Sequence, residues 1–176
     1  TDVRNTAFLV WKYLDKEDDR WPYLPALDLV KRIASSDTRT SFVGSHFFYE
    51  DVSGRNINDD SHVLIEETDL YYIIKSAPKN TASVAFSYYK SWIHKTSFLP
   101  VKTEYYDIKD TIYRVYEALN VTTVQGFPTV TQAKMSDTRM GGYTLLTYSK
   151  VAYNMDISES IFSERYLRNA PRKLLR

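Results

Sequence analysis

The sequence predicts a mainly β protein with minor α content, arranged as an antiparallel meander. Aromatic residues make up 15% of the 176 residues, and fifteen tyrosines stand against five glycines, a composition typical of strands. Short segments also alternate apolar and polar side chains with a period of two, and turn-forming residues separate them. Only Ser158 to Leu167 has helical spacing, with Ser158 as its N-cap.

The first predicted element is a β-hairpin. Thr6 to Leu14 is apolar on nearly both faces, and Arg20 to Leu24 returns as its partner strand. The charged connection that begins at Asp15 is interpreted as a solvated loop. A calcium site there is disfavoured, because the glycine and the terminal glutamate of a calcium-binding loop are missing.

The next segment, Trp21 to Arg55, is the one around which we expect the chain to be organised. Pro22 and Pro25 exclude a helix and restrict any strand to a sheet edge or a strand end. A short half-buried strand follows around Leu29 to Ile33. Phe42 to Tyr49 then places four aromatic residues within eight positions. This density predicts a short apolar helix or loop pressed over an apolar surface.

From His62 onward the pattern is a repeated strand, turn and strand. Gln125-Gly126 and Met140-Gly141-Gly142 supply turn chemistry between the later strands. Sequential antiparallel pairing follows, and such a sheet must hide one face, either by closing into a barrel or by wrapping something apolar. The predicted strands cover residues 62–67, 69–76, 85–94, 98–107, 111–119, 129–136 and 144–153.

Several large rings favour an apolar cavity over a dense core. If the strand register allows, one side of the sheet presents Trp11, Tyr88, Trp92, Tyr105 and Tyr113. A tyrosine sealed in a core needs a partner for its hydroxyl, or it costs about 1–3 kcal/mol. At the rim of a cavity the ring stays dry while the hydroxyl reaches water.

Composition and motifs exclude several functional classes. A formal net charge of +1 gives no electrostatic case for a nucleic-acid partner, and the absence of cysteine removes disulfides, thiolate-bound zinc and a thiol nucleophile. His46, His62 and His94 lie in separate segments without metal-ligand spacing, and no GxSxG motif is present. We therefore expect no metal, no cofactor and no enzymatic activity.

Four separated segments carry a family resemblance: TAFLVWKY (Thr6 to Tyr13), WPYLPAL (Trp21 to Leu27), RIASSDTRTSFVGSHFFYEDV (Arg32 to Val52) and FSERYLR (Phe162 to Arg168). In sequence, order and spacing they resemble the outer-membrane lipoprotein-sorting protein family, the LolA-like periplasmic carriers often found beside RND-type exporters. The resemblance implies one domain over residues 1–176, folded as an incomplete, half-open β-barrel with a short helical lid. It also implies that acyl chains bind in the cavity of that barrel. The cavity and lid candidates are then Trp11, Phe42, Phe47, Phe48, Tyr49, Tyr88, Trp92, Tyr105 and Tyr113.

Family members usually carry a signal peptide, an N-terminal helix and further strands before the first of these segments. We therefore expect export to the periplasm directed by residues outside this chain. The Thr6 to Leu14 edge is expected to be covered either by a second copy, in a homodimer, or by the remaining strands of a longer protein of which this chain is a fragment. The resemblance implies a non-catalytic carrier of lipid or lipoprotein acyl chains toward the outer membrane, with an RND-type inner-membrane transporter as a further partner. The alternative is a β-rich binding or scaffolding accessory domain of such a transporter that carries no lipid.

Overall fold

The computed structural model describes residues 3–34 and 37–171, and the chain divides into two compact units. The smaller unit draws on the two ends of the chain, up to Thr38 and from Asn154 onward, and the larger unit runs from Arg39 to Tyr153. Each unit has its own antiparallel sheet, and neither sheet closes into a barrel. The predicted fold class, mainly β with short helices, is confirmed.

The smaller unit contains a three-stranded sheet. Its strands are β1 (Ala7–Trp11), β2 (Asp19–Leu24) and β3 (Leu29–Val30). The predicted hairpin of β1 and β2 is confirmed, with Leu9 opposite Trp21.

The prolines are expected from the sequence to exclude a helix and to restrict a strand to a sheet edge or a strand end. Pro25 does follow the last residue of β2, but it opens a 3₁₀ helix, Pro25–Leu27, and Pro22 lies within β2, the central strand, so both expectations are wrong in part. The Pro22 carbonyl accepts the Lys31 N–H at 3.2 Å.

The predicted helix over Ser158 to Leu167 is divided into two pieces. A 3₁₀ turn spans Glu159–Ile161, and an α-helical segment spans Glu164–Arg168. Ser158 caps the first piece, since its Oγ accepts a backbone N–H of the turn at 3.3 Å. Ser163 then adopts an extended backbone conformation, which interrupts the helix.

The larger unit is a seven-stranded meander in which each strand pairs with its neighbours along the chain, as predicted. Its strands are β4 (Asp60–Glu67), β5 (Tyr71–Pro78), β6 (Tyr88–His94), β7 (Pro100–Tyr106), β8 (Ile112–Val124), β9 (Phe127–Asp137) and β10 (Tyr143–Thr147). β4 and β10 form the two edges of this sheet. β10 is shorter than predicted, because Lys150 has a positive φ of 56° that a strand does not accommodate.

The turn between β8 and β9 is the predicted pair Gln125-Gly126. Both residues have positive φ angles, 50° and 86°, as a type I′ hairpin turn requires. A two-residue turn of this kind sets the register of the two longest strands of the sheet.

Replacing Gly126 by alanine is expected to lower the free energy of unfolding by about 1 kcal/mol, measured by urea denaturation. A Cβ atom added at Gly126 would meet no atom within 4 Å, so backbone strain accounts for the whole effect. The control is Lys150→Gly, the reverse change at a positive φ, which should leave stability unchanged or raise it. Equal stability of Gly126→Ala and the wild type would contradict the turn geometry.

Packing in the larger unit centres on one aromatic cluster. Val84, Phe86 and Tyr113 are buried, and Tyr89 and Tyr105 pack against them. Phe86 lies edge-on to Tyr89 with ring centroids 5.4 Å apart, and it is tilted against Tyr105 at 5.5 Å. The cluster therefore joins β6, β7 and β8 through their rings.

Candidate functional site

The two faces of the seven-stranded sheet carry different side chains. Cross-strand partners share a face. Tyr89 pairs with Tyr105, and Tyr105 pairs with Arg114, so these three side chains lie on one face, which we call the arginine face. Tyr88 and Tyr106 pair on the opposite face.

A segment of the same unit, residues 39–53, packs on the arginine face, and we call it the cover segment. Contacts within the segment fold it into a compact loop. The Phe42 N–H donates to the Phe47 carbonyl at 2.7 Å, and the Phe42 and Tyr49 rings meet edge-on with centroids 5.3 Å apart. The segment ends in the short helix Tyr49–Ser53. Asp51 caps this helix, since its Oδ2 accepts the Phe48 N–H at 2.6 Å.

Arg114 joins the cover segment to the sheet. Its side chain is 1% exposed, and Nη2 forms a close ion pair with Oδ2 of Asp51 and donates to the His46 carbonyl at 3.1 Å. The guanidinium lies 3.8 Å from the centroid of the Phe48 ring and 5.1 Å from that of Tyr105. A buried guanidinium is thus held between one ring of the cover and one ring of the sheet.

His46 makes a second polar connection, to β10 and the turn before it. The backbone N–H of His46 donates to Oγ1 of Thr144 at 3.1 Å, and the same oxygen lies 2.8 Å from Nδ1 of the ring. Nε2 lies 3.0 Å from the carbonyl oxygen of Gly141. A neutral imidazole with its proton on Nε2 satisfies all three contacts, because the threonine hydroxyl then donates to Nδ1.

A third polar group lies beside the helix of the cover segment. Arg55 binds both carboxylate oxygens of Asp60 at 2.9–3.1 Å, and the Tyr89 hydroxyl donates to Asp60 at 2.9 Å. Oε2 of Glu50 lies 3.7 Å from Nη1 of Arg55. Burial, together with the neighbouring Asp51 carboxylate, raises the pKa of Glu50 to about 7, although Arg55 opposes this shift.

Two buried polar atoms of β8 have no hydrogen-bond partner among the described residues. They are the hydroxyl of Tyr113 and Nε of Arg114. Arg114 Nε lies 3.8 Å from Oδ2 of Asp137, which is beyond hydrogen-bonding distance. Buried donors are usually satisfied, so an unsatisfied pair on neighbouring residues requires an explanation.

The cover segment contains four of the nine predicted site residues. Phe47 and Tyr49 are buried, at 7% and 8% exposure, and Phe42 and Phe48 are partly buried. Tyr105 and Tyr113 lie in the aromatic cluster under it. All six residues belong to the larger unit, and Phe48 and Tyr105 are joined through the Arg114 guanidinium between their rings.

The other three predicted residues lie elsewhere. Tyr88 and Trp92 project from the opposite face, where Tyr88 stacks on Tyr106 with centroids 4.5 Å apart and the Lys102 ammonium lies 4.6 Å from the Trp92 ring. The five large rings therefore do not share one side of a single sheet. The register of β6 against β7 places Tyr88 and Tyr105 on opposite faces, and Trp11 belongs to the other sheet.

Trp11 lines a pocket of about 220 Å³ within the smaller unit. Its indole N–H donates to the Phe162 carbonyl at 3.2 Å, and the two rings meet edge-on at 6.2 Å. The sheet and the C-terminal pieces both contribute to the lining, which consists of Leu9, Trp11, Trp21, Val30, Phe162, Ser163, Glu164 and Leu167. The smaller unit thus has an apolar pocket of its own.

The polar residues that hold the cover segment were not predicted as site residues. Arg114 is a charged residue inside the apolar strand pattern Ile112-Tyr113-Arg114-Val115-Tyr116, and that mismatch is the signal in the sequence. Asp51 follows Glu50 directly after an aromatic run, and such a carboxylate at the start of a helix is the signal for the cap that it forms.

Within residues 3–34 and 37–171, no helix combines the length and the apolar character needed to cross a membrane. In the same part of the chain, no three side chains of histidine, aspartate or glutamate are grouped as a metal would require.

Comparison with solved structures identifies the fold. A DUF1329 family protein from Desulfovibrio piger is 31% identical, with a TM-score of 0.83, and the match covers 94% of this chain and 72% of that one. An outer-membrane lipoprotein-sorting protein domain from Vibrio parahaemolyticus is 27% identical, with a TM-score of 0.81, over 93% and 72% of the two chains. A LolA superfamily protein from Nitrosomonas europaea is 22% identical, with a TM-score of 0.62, over 84% and 67%.

Two sequence comparisons add little to this result. A family model described as that of an uncharacterized protein matches residues 1–169. No curated protein sequence is significantly similar to the chain. By its identity to the Desulfovibrio piger protein and its coverage of that structure, the chain belongs to the DUF1329 family, and its fold is LolA-like.

Proposed function

We propose that this protein is a non-catalytic periplasmic carrier that binds the acyl chains of lipids or lipoproteins for transfer toward the outer membrane. The observation that carries the proposal is the cover segment, residues 39–53, which packs on the arginine face of an open sheet with buried rings and is joined to it by the Arg114–Asp51 and His46–Thr144 contacts. The Vibrio parahaemolyticus and Nitrosomonas europaea neighbours, named as lipoprotein-sorting and LolA superfamily proteins, support the same function.

The type of contact suits a cover that leaves and returns. An apolar core resists opening because each buried methylene contributes about 0.8 kcal/mol. A buried polar contact opens only when water or a ligand replaces the partner that departs, because the group left behind is otherwise buried and unsatisfied. The Arg114–Asp51 pair and the His46–Thr144 contacts are of this second kind.

An acyl chain gains the same apolar contacts that the cover gives up. The aromatic cluster of Phe86, Tyr105 and Tyr113 remains on the sheet when the cover moves, and it supplies a surface of rings. Binding of this kind requires apolar area and a movable cover, and it requires no reactive group. Catalysis therefore forms no part of the proposal.

A disulfide that locks the cover segment should abolish acyl-chain binding. The chain has no cysteine of its own, and the His46 backbone nitrogen lies 3.1 Å from Oγ1 of Thr144. We expect oxidised His46→Cys/Thr144→Cys protein to bind a fluorescent fatty acid at least about tenfold more weakly than the same protein after reduction. The reason is that the bridge keeps the arginine face covered.

A second disulfide serves as the control. Lys90 and Glu104 pair between β6 and β7 on the face opposite to the arginine face, and neither belongs to the cover segment. Oxidation of Lys90→Cys/Glu104→Cys should leave binding unchanged. If locking the cover makes no difference, acyl chains do not enter beneath it. If wild-type protein binds no acyl probe, the alternative of an accessory domain that carries no lipid is favoured.

A further inference from the structure

The hydrogen-bond acceptors of Arg114 among the described residues come from the cover segment. A guanidinium stays charged at any physiological pH, and a buried charge is costly unless it is paired. Both groups that accept hydrogen bonds from Arg114, the Asp51 carboxylate and the His46 carbonyl, belong to the cover. When the cover moves away, Arg114 loses both of them together.

The sheet itself offers Arg114 a poor substitute. Asp137 pairs with Arg114 across β8 and β9, but its nearest oxygen is 3.8 Å from Nε. Its other carboxylate oxygen already accepts the N–H groups of Arg139 and Met140, at 2.7 and 3.1 Å. Asp137 thus accepts hydrogen bonds within its own turn. The N–H groups of the Arg114 guanidinium that Asp137 does not bind are available to another anion.

Two unsatisfied donors belong to neighbouring residues of β8. Arg114 Nε and the Tyr113 hydroxyl are buried and lack hydrogen-bond partners among the described residues, and both belong to the sheet. Asp51 reaches only Nη2 of the guanidinium. The geometry therefore provides more hydrogen-bond donors than the cover segment uses, which is typical of a site built for a ligand with more acceptor oxygens.

We propose that the Asp51 carboxylate occupies, in the covered state, the site at which Arg114 binds the anionic group of a lipid. A carboxylate or phosphate at the polar end of an acyl chain replaces Asp51 on Arg114 as the cover opens. This inference rests on the proposed carrier function and specifies its ligand class: acyl chains that end in an anion. The lipid anion then binds and the cover segment is released in a single step, in which the anion replaces Asp51 on Arg114.

The test compares two probes that differ only in charge, dansyl-undecanoic acid and its methyl ester. Wild-type protein should bind the acid about tenfold more tightly than the ester, because only the acid replaces Asp51. Asp51→Asn keeps a side chain that caps the helix but carries no charge. It should strengthen binding of the acid by about tenfold and change ester binding by less than about threefold.

Two further variants make the result specific to Arg114. In the double variant Arg114→Met/Asp51→Asn both partners are neutral, so no buried ion is left alone, and the preference for the acid should disappear while ester binding remains. Lys90→Met removes a positive charge from the opposite face, where Lys90 lies 4.9 Å from the Tyr106 ring, and it should leave the preference unchanged. Inorganic phosphate at millimolar concentration should not displace the acid probe, since it lacks an acyl chain.

Each contrary outcome has a separate meaning. Equal binding of acid and ester by the wild type, or a preference that survives in the double variant, would overturn the anion site but leave the carrier function standing. Displacement of the acid by phosphate alone would show a free-anion site instead of a lipid site. Failure of the wild type to bind either probe would overturn both the carrier function and this inference.

Discussion

Replacing Arg114 by alanine is expected to lower the free energy of unfolding by about 3–5 kcal/mol. The Arg114 side chain is 1% exposed, and those of Asp51 and Asp137 are 9% and 4% exposed. Without Arg114, two carboxylates remain in a poorly solvated environment with no cation in contact. Phe48 also loses the guanidinium that packs 3.8 Å from its ring centroid.

Chemical denaturation of the wild type and the variant measures this effect. The matched control is Lys134→Ala, which removes one partner of an ion pair with Glu117 at 2.5 Å. Those side chains are 28% and 37% exposed, so the loss should stay below about 1 kcal/mol. Similar losses for the two variants would show that Arg114 is not the group that fixes the cover segment to the sheet.

Local patterns explain why much of the larger unit was predictable. The turn between β8 and β9 needs only two adjacent residues with positive φ. The predicted turn pair Gln125-Gly126 supplies both of them. Alternating side chains on either side then indicate two paired strands. Sequential pairing follows because short turns leave no other partner within reach.

The faces of the strands were harder to predict than their existence. A shift of one residue moves a whole strand's side chains to the other face. The pairing of β7 with β8 shifts between Tyr105 and Tyr106, and the pairing of β8 with β9 shifts near Asn120. For Tyr88 and Tyr105 the register of β6 against β7 decides: Tyr88 pairs with Tyr106 and Tyr89 with Tyr105, and alternation within each strand does not give that register.

The polar contacts that hold the cover segment could not be predicted from local patterns for a different reason. Arg114 and Asp51 are 63 residues apart in the chain, and His46 and Thr144 are 98 apart. The aromatic density of residues 42–49 indicates that this segment covers something, but it does not say what holds it there. Long-range polar contacts depend on the tertiary fold, which positions both partners.

Glu50 should make the stability of this protein depend on pH. Its pKa is about 7 in the folded protein, above the ordinary value of 4.5, because burial and then Asp51 disfavour the charged form. Below pH 4.5 Glu50 is protonated in both the folded and the unfolded chain, and the stabilisation is fully present. As the pH rises from 4.5 through 7 the unfolded chain releases this proton more readily, so stability is lost by up to about 3 kcal/mol.

The variant Glu50→Gln removes this titration and keeps the shape of the side chain. It should match the wild type near pH 4.5 and exceed its free energy of unfolding by up to about 3 kcal/mol at pH 8, measured by urea denaturation across that range. Some pH dependence remains in the variant, because burial also raises the pKa of Asp51. The other charged groups that act on Glu50 are Arg55, Arg114 and Arg39.

An exposed glutamate provides the comparison. Glu67 binds Lys95 at 2.7 Å, and its side chain is 55% exposed, so Glu67→Gln should change stability by less than about 1 kcal/mol at any pH in this range. A difference between Glu50→Gln and the wild type that stays constant from pH 4.5 to 8 would mean that Glu50 ionises normally in the folded protein. In that case the helix of the cover segment would carry its full negative charge at neutral pH, and Glu50 would repel an incoming lipid anion as strongly as Asp51 does.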